Sequence, residues 1–143
     1  MRGNWVAIVA AVGLVFAPGW IARGIAAGAG PFDGTWTVEV DCPRVGDIEG
    51  YNWRFQAQVS SGLLSGLYRS PTDSAMGRLS GRIRPAGGAV LTMVGRTGPE
   101  PYAVGHVRAG TPFRYTASAH FDGRSGSGKR NEQRARALMF TRA

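Results

Sequence analysis

The sequence predicts an all-β chain. The expected form is an antiparallel, eight-stranded up-and-down meander closing into a barrel, with a two-sheet β-sandwich as the alternative. Three observations carry this. Apolar and polar residues alternate with period two through most of the chain. Clusters of Gly, Pro and Ser separate the alternating runs at short, even intervals. Eight short strands in one small domain favour closure, because closure removes unpaired strand edges.

The elements follow in order. Trp36, Val38 and Val40 alternate with Thr35, Thr37 and Glu39, giving a strand over 34–41. Tyr51, Trp53, Phe55, Ala57 and Val59 alternate with Asn52, Arg54, Gln56 and Gln58, giving 51–60. After Ser60-Ser61-Gly62 comes a strand over 63–69. Leu79, Gly81 and Ile83 alternate with Arg78, Ser80, Arg82 and Arg84 in a strand over 77–85. Pro85-Ala86-Gly87-Gly88 turns the chain into a strand over 88–96, and Thr97-Gly98-Pro99 leads to one over 102–108. Phe113, Tyr115, Ala117, Ala119 and Phe121 mark 112–122. The segment 131–140 has helical propensity. Leu138 and Phe140 nevertheless alternate with Met139 and Thr141, and a last strand over 136–142 is needed for closure. The Asp-Gly pairs at 33–34 and 122–123 read as turns.

The first 29 residues differ from the rest. A positive start at Arg2, an apolar run from Trp5 to Ala17 and an Ala27-x-Ala29 site make a secretory signal peptide. An uncleaved anchor is the rival reading. Residues 30–143 form the single barrel domain, and the expected location is periplasmic or secreted. Losing Arg2 and Arg23 takes the basic residues from 17 to 15 and the formal charge from +8 to +6. The lone cysteine, Cys42, is either a buried free thiol or a link to a second chain; a monomer is expected.

Residues 123–130, Gly-Arg-Ser-Gly-Ser-Gly-Lys-Arg, spell G-x-x-x-x-G-K. A phosphate-binding loop needs Ser or Thr after the lysine to hold magnesium, and must open a helix in a parallel sheet. Here Arg130 follows the lysine and the flanking runs are meander strands. Nucleotide hydrolysis is therefore rejected, and the glycines read as a flexible hairpin loop between the last two strands. What remains is a basic cluster of Arg124, Lys129, Arg130, Arg134 and Arg136. Aromatic residues do not interleave with it, so nucleic acid is not expected.

Catalytic patterns are sparse. No nucleophile elbow, zinc spacing or paired carboxylates stand out, and His106 and His120 sit on different expected strands. The expectation is a non-enzyme with no cofactor and no metal; a hydrolase is the least favoured alternative.

Gly34-Thr35-Trp36 on the first strand, with Arg142 on the last, resembles the calycin arrangement of lipocalins and avidins. That resemblance implies a barrel whose first-strand tryptophan packs at one end beneath the arginine. A guanidinium suits the role, because it covers an indole face and satisfies free carbonyls. The whole of 32–140 resembles small exported bacterial proteins of unknown function. That resemblance implies a second cysteine near the last strand in many members, and Arg134-Ala135-Arg136-Ala137 carries none. It supplies no activity.

The leading expectation is a small apolar or aromatic ligand bound at a barrel mouth lined by Trp36, Tyr51, Trp53 and Phe113. Small inward residues such as Ala57, Gly81, Ala117 and Ala119 leave room for it. The alternative is a module docking on an acidic protein or envelope surface through Arg78, Arg82, Arg84, Arg124, Lys129 and Arg130.

Overall fold

The computed structural model describes residues 30–132 and 134–143. The expected signal segment 1–29 lies outside the described residues. Eight strands form one closed barrel: β1 (Gly34–Cys42), β2 (Tyr51–Ser60), β3 (Leu63–Arg69), β4 (Met76–Ile83), β5 (Gly88–Arg96), β6 (Pro112–Phe121), β7 (Ser125–Arg130) and β8 (Ala137–Arg142). Each strand pairs antiparallel with the next, and β8 closes on β1 with Trp36 opposite Arg142 and Val40 opposite Leu138. The barrel, not the sandwich, is the architecture.

Period-two alternation becomes inside and outside. Trp36, Val38, Val40, Trp53, Phe55, Leu79, Leu91 and Phe140 are buried in one continuous core. The residues between them face out, and Glu39 pairs with the directly opposed Arg54 at 3.1 Å. Polar outside and apolar inside is the reverse of the alternation in a membrane-spanning barrel. Among the described residues, no helix is long and apolar enough to cross a membrane.

The two barrel ends differ. Short turns of residues 61–62, 84–87 and 122–124 join the strands at one end. At the 61–62 turn Ser61 and Gly62 both take positive φ, 50° and 77°, as a tight hairpin requires. Asp33 accepts hydrogen bonds from both of their N–H groups, at 2.7 and 3.0 Å. The other end carries the long connections 43–50, 70–75, 97–111 and 131–136.

Two elements differ from the sequence expectation. Residues 102–108 are not a strand. The chain there makes two 3₁₀ turns, Glu100–Tyr102 and Val104–His106. Pro99 and Pro101 offer no N–H for a ladder, and Gly105 turns the chain at φ 73°. The count of eight is completed instead by the stretch expected to be a flexible loop: β7 is Ser-Gly-Ser-Gly-Lys-Arg, while the expected last strand is β8. Gly126 and Gly128 face inward, where a Cβ would lie 2.9 Å from Phe121 Cδ1 and 3.0 Å from Ala119 Cβ. The period of two is present, but its inner half is glycine and shows no apolar signal. The lysine of the phosphate-loop resemblance, Lys129, points out of the wall. Residues 131–136 form no helix among the described positions. Asn131 and Glu132 fold back on β6 instead, where Glu132 accepts from the backbone N–H of Thr116 at 2.9 Å and from its hydroxyl at 2.6 Å.

Candidate functional site

The end with short turns is filled. Trp36 is fully buried and packs edge-on to Phe121, with ring centroids 5.4 Å apart; Phe121 lies 4.6 Å from Phe140. The Trp36 indole N–H donates to the Phe32 carbonyl at 2.8 Å. The Arg142 guanidinium lies over the indole, 5.5 Å from its centroid. It also donates to the carbonyls of Asp33, Gly123 and Pro31. Trp36, Phe121 and Phe140 are buried and close this end, and none of them lines the cavity at the other. Trp36, grouped by sequence with the mouth aromatics, therefore belongs to the opposite end of the barrel. One strand places both: β1 starts at the filled end and finishes at the mouth with Cys42.

The other end opens into a cavity of about 660 Å3. Tyr51, Trp53 and Phe113 line it, joined by Tyr68. Trp53 stacks on Tyr68 at 4.4 Å and 16°, and Tyr51 lies 5.4 Å from Trp53. Two inward glycines seat these rings. A Cβ on Gly77 would lie 2.8 Å from Trp53 Cζ3, and one on Gly95 would lie 2.8 Å from Phe113 Cζ. The wall is thin there so that the aromatic groups can lie against it.

Sequence reasoning missed the charge inside. Arg130 was expected on an outward patch with Lys129, yet it alternates inward and lines the cavity. Arg136 joins it there. Arg78, Arg82, Arg84, Arg124 and Lys129 are exposed. Arg136 is 9% exposed and Arg134 7%. Arg134 is occupied as a strap: it donates to the carbonyls of Pro43, Glu49 and Tyr102, tying three connections together. Arg136 is held by ring faces. Its guanidinium carbon lies 4.8 Å from the Tyr115 centroid, 5.5 Å from that of Tyr51 and 5.7 Å from that of Phe113. The Arg130 guanidinium carbon also lies over the Tyr115 ring, 4.4 Å from its centroid.

Burial first, and then the neighbouring Arg136 charge, press the Arg130 guanidinium below its usual range. Burial pushes the hydroxyls of Tyr51 and Tyr115 up, so neither supplies a negative charge near neutrality. Burial also raises Cys42, which is fully enclosed and free. A buried thiol with a raised pKa is a poor nucleophile.

The connection 97–111 arches over the mouth. Tyr102 packs edge-on to Tyr51 at 6.3 Å, and Glu49 N–H donates to the Pro101 carbonyl at 2.9 Å. His106 meets Asp47 at 2.9 Å. His120 is exposed on β6. Among the described residues, no three His, Cys, Asp or Glu side chains converge as a metal site. No family model, curated protein or solved structure matches the chain.

Proposed function

We propose that this is an exported, non-enzymatic barrel protein that binds a small apolar or aromatic ligand at its mouth. The observation that carries the reading is the cavity of about 660 Å3 walled by Tyr51, Trp53, Tyr68 and Phe113. Its size falls within the range typical of small-molecule sites, and the stacked rings along one wall suit a flat apolar guest. The eight-stranded meander, with Trp36 beneath Arg142, supports the calycin resemblance. The enclosed Cys42 supports a monomer. Native mass spectrometry on the exported protein, purified gently without reductant, tests the reading. A monomer beginning near Gly30 and carrying extra small mass is expected. A bare monomer that takes up no hydrophobic dye overturns it.

A second reading has its own observation. On the outer face, Arg78 sits between Leu67 and Val94, and Arg82 between Leu63 and Val90. Arg114 extends the first row beside Val94. All four apolar side chains are exposed. Arginine interleaved with exposed aliphatic groups suits docking on an acidic protein or envelope surface. Reversing Arg78 and Arg82 to Glu abolishes such docking in a pull-down from the envelope fraction and leaves the mouth cavity unchanged.

A further inference from the structure

We infer that the ligand is an amphiphile with one carboxylate head, held inside the mouth by Arg136 and Arg130. This inference rests on the ligand-binding reading and names the chemistry of its guest.

The argument begins with an imbalance. Arg130 and Arg136 follow one another in the wall, joined by the Arg130 N–H to Arg136 carbonyl bond of 3.1 Å at the end of the β7–β8 ladder. Both side chains turn inward, and neither guanidinium can shed its proton near neutrality. Three ion pairs form among the described residues: Arg44–Glu49, Arg54–Glu39 and His106–Asp47. None includes Arg130 or Arg136. Arg136 is more than nine-tenths buried, and its Nε and Nη1 meet no hydrogen-bond partner among the described residues. The same holds for Arg130 Nε, and the Tyr115 hydroxyl lies beside Arg136 without a hydrogen bond of normal geometry. A buried charge left without a partner is strongly destabilising in general. Contact with the faces of Tyr51, Phe113 and Tyr115 offsets part of that cost but supplies no anion and no hydrogen-bond acceptor.

The carboxylates around the pair are otherwise engaged or outside. Asp73 lines the rim, where its Oδ1 accepts from the Ala75 N–H at 2.7 Å. Glu132 is exposed and bound to Thr116, and its charge acts on Arg130 from outside, beyond ion-pair distance. Asp41 is exposed and lines a second, outer cavity of about 310 Å3 that also reaches Arg130 and Arg136. It lies beyond ion-pair distance from both. The pair thus stands between two openings, with free donors and, among the described residues, no carboxylate within ion-pair distance. A guanidinium fork and a carboxylate match in geometry, and a charge-assisted pair in a water-poor site is among the stronger polar contacts. The aromatic walls of Tyr51, Trp53, Tyr68 and Phe113 then take the apolar body between this head group and the mouth.

Titration calorimetry with decanoate, decanol and decyl phosphate on the full barrel domain tests the inference. Decanoate is expected to bind at least about tenfold more tightly than decanol, and binding should fall as pH drops through the acid's own range near about 5. Arg136→Gln should erase the difference between acid and alcohol, and so should Arg130→Gln to a lesser degree. Without ligand, Arg136→Gln should raise the melting temperature, because it removes an uncompensated charge; a purely structural arginine would give the opposite. Equal binding of acid and alcohol overturns the carboxylate head and leaves the apolar cavity standing. Tighter binding of decyl phosphate than decanoate replaces carboxylate with phosphate and so overturns it too. Failure of all three probes to bind overturns the cavity reading and this inference together.

Discussion

Arg142 and Trp36 occupy directly opposed positions on β8 and β1, and the guanidinium of one lies 5.5 Å from the ring centroid of the other. The same guanidinium serves the carbonyls of Asp33, Gly123 and Pro31. A lysine could neither lie flat on the indole nor serve three acceptors in that fork. Arg142→Lys is expected to destabilise the barrel by about 1–3 kcal/mol in urea unfolding, through lost hydrogen bonds and stacking. A variant as stable as the parent would show that the pair does not secure the filled end.

The mouth connection carries a pH-dependent latch. A hydrogen bond from His106, then one from its own backbone N–H and the His106 charge, hold the Asp47 carboxyl below its usual 3.8. The same bond, followed by the Asp47 charge, raises His106 above 6.5. The histidine's contribution is complete below 6.5 and fades as pH rises through its folded value. The aspartate's is present above 3.8 and fades as pH falls through its folded value. The latch is therefore fully charged between 3.8 and 6.5. Protection of the 97–111 amides relative to intrinsic exchange at the same pH should be greatest in that window, and its pH dependence should disappear in Asp47→Asn. Protection that stays constant with pH in the parent protein would count against the latch.

Gly77 is the seat of Trp53. A Cβ there would lie 2.7 Å from Met93 Sδ and 2.8 Å from Trp53 Cζ3. Gly77→Ala should cost about 1–3 kcal/mol by overpacking and disturb the stack on Tyr68. Near-ultraviolet circular dichroism should change while the far-ultraviolet spectrum holds. An unaltered aromatic signal would mean that the methionine alone gives way.

Cys42 is enclosed, and its pKa is raised by burial. A thiol-reactive disulfide reagent should label it only at the rate of barrel opening, and chain mass on a non-reducing gel should match that with reductant. Fast labelling in native buffer would place the thiol at the surface.

Most of the wall was legible because side chains announce their face. Trp53, Phe55 and Val59 alternate with charged and amide groups, and β2 follows at once. β7 was hidden because its inward positions are Gly126 and Gly128, which fill space by letting Phe121 and Ala119 approach. A strand whose apolar half is supplied by its neighbours has no hydrophobic period of its own. The mouth aromatics Tyr51, Trp53 and Phe113 could be picked from alternation alone. The inward arginines could not. Once the β7 stretch is taken for a loop, Arg130 has no face, and charge by itself reads as solvent-facing. Trp36 was misgrouped because alternation gives the face of a strand but not which end of the barrel a residue occupies.

The pairing of β8 with β1 joins residues near opposite ends of the described chain. Neighbouring hairpins can form early from local contacts, but this last seam must wait for long-range closure, which slows folding. Until it forms, β1 presents an open edge and the Trp36 cluster lacks Phe140 and Arg142. Such an edge invites pairing with another chain. The seam sets a kinetic deadline: the chain is exposed to misassembly for as long as its final strand is missing, and a truncation that removes only β8 should yield aggregates rather than a smaller barrel.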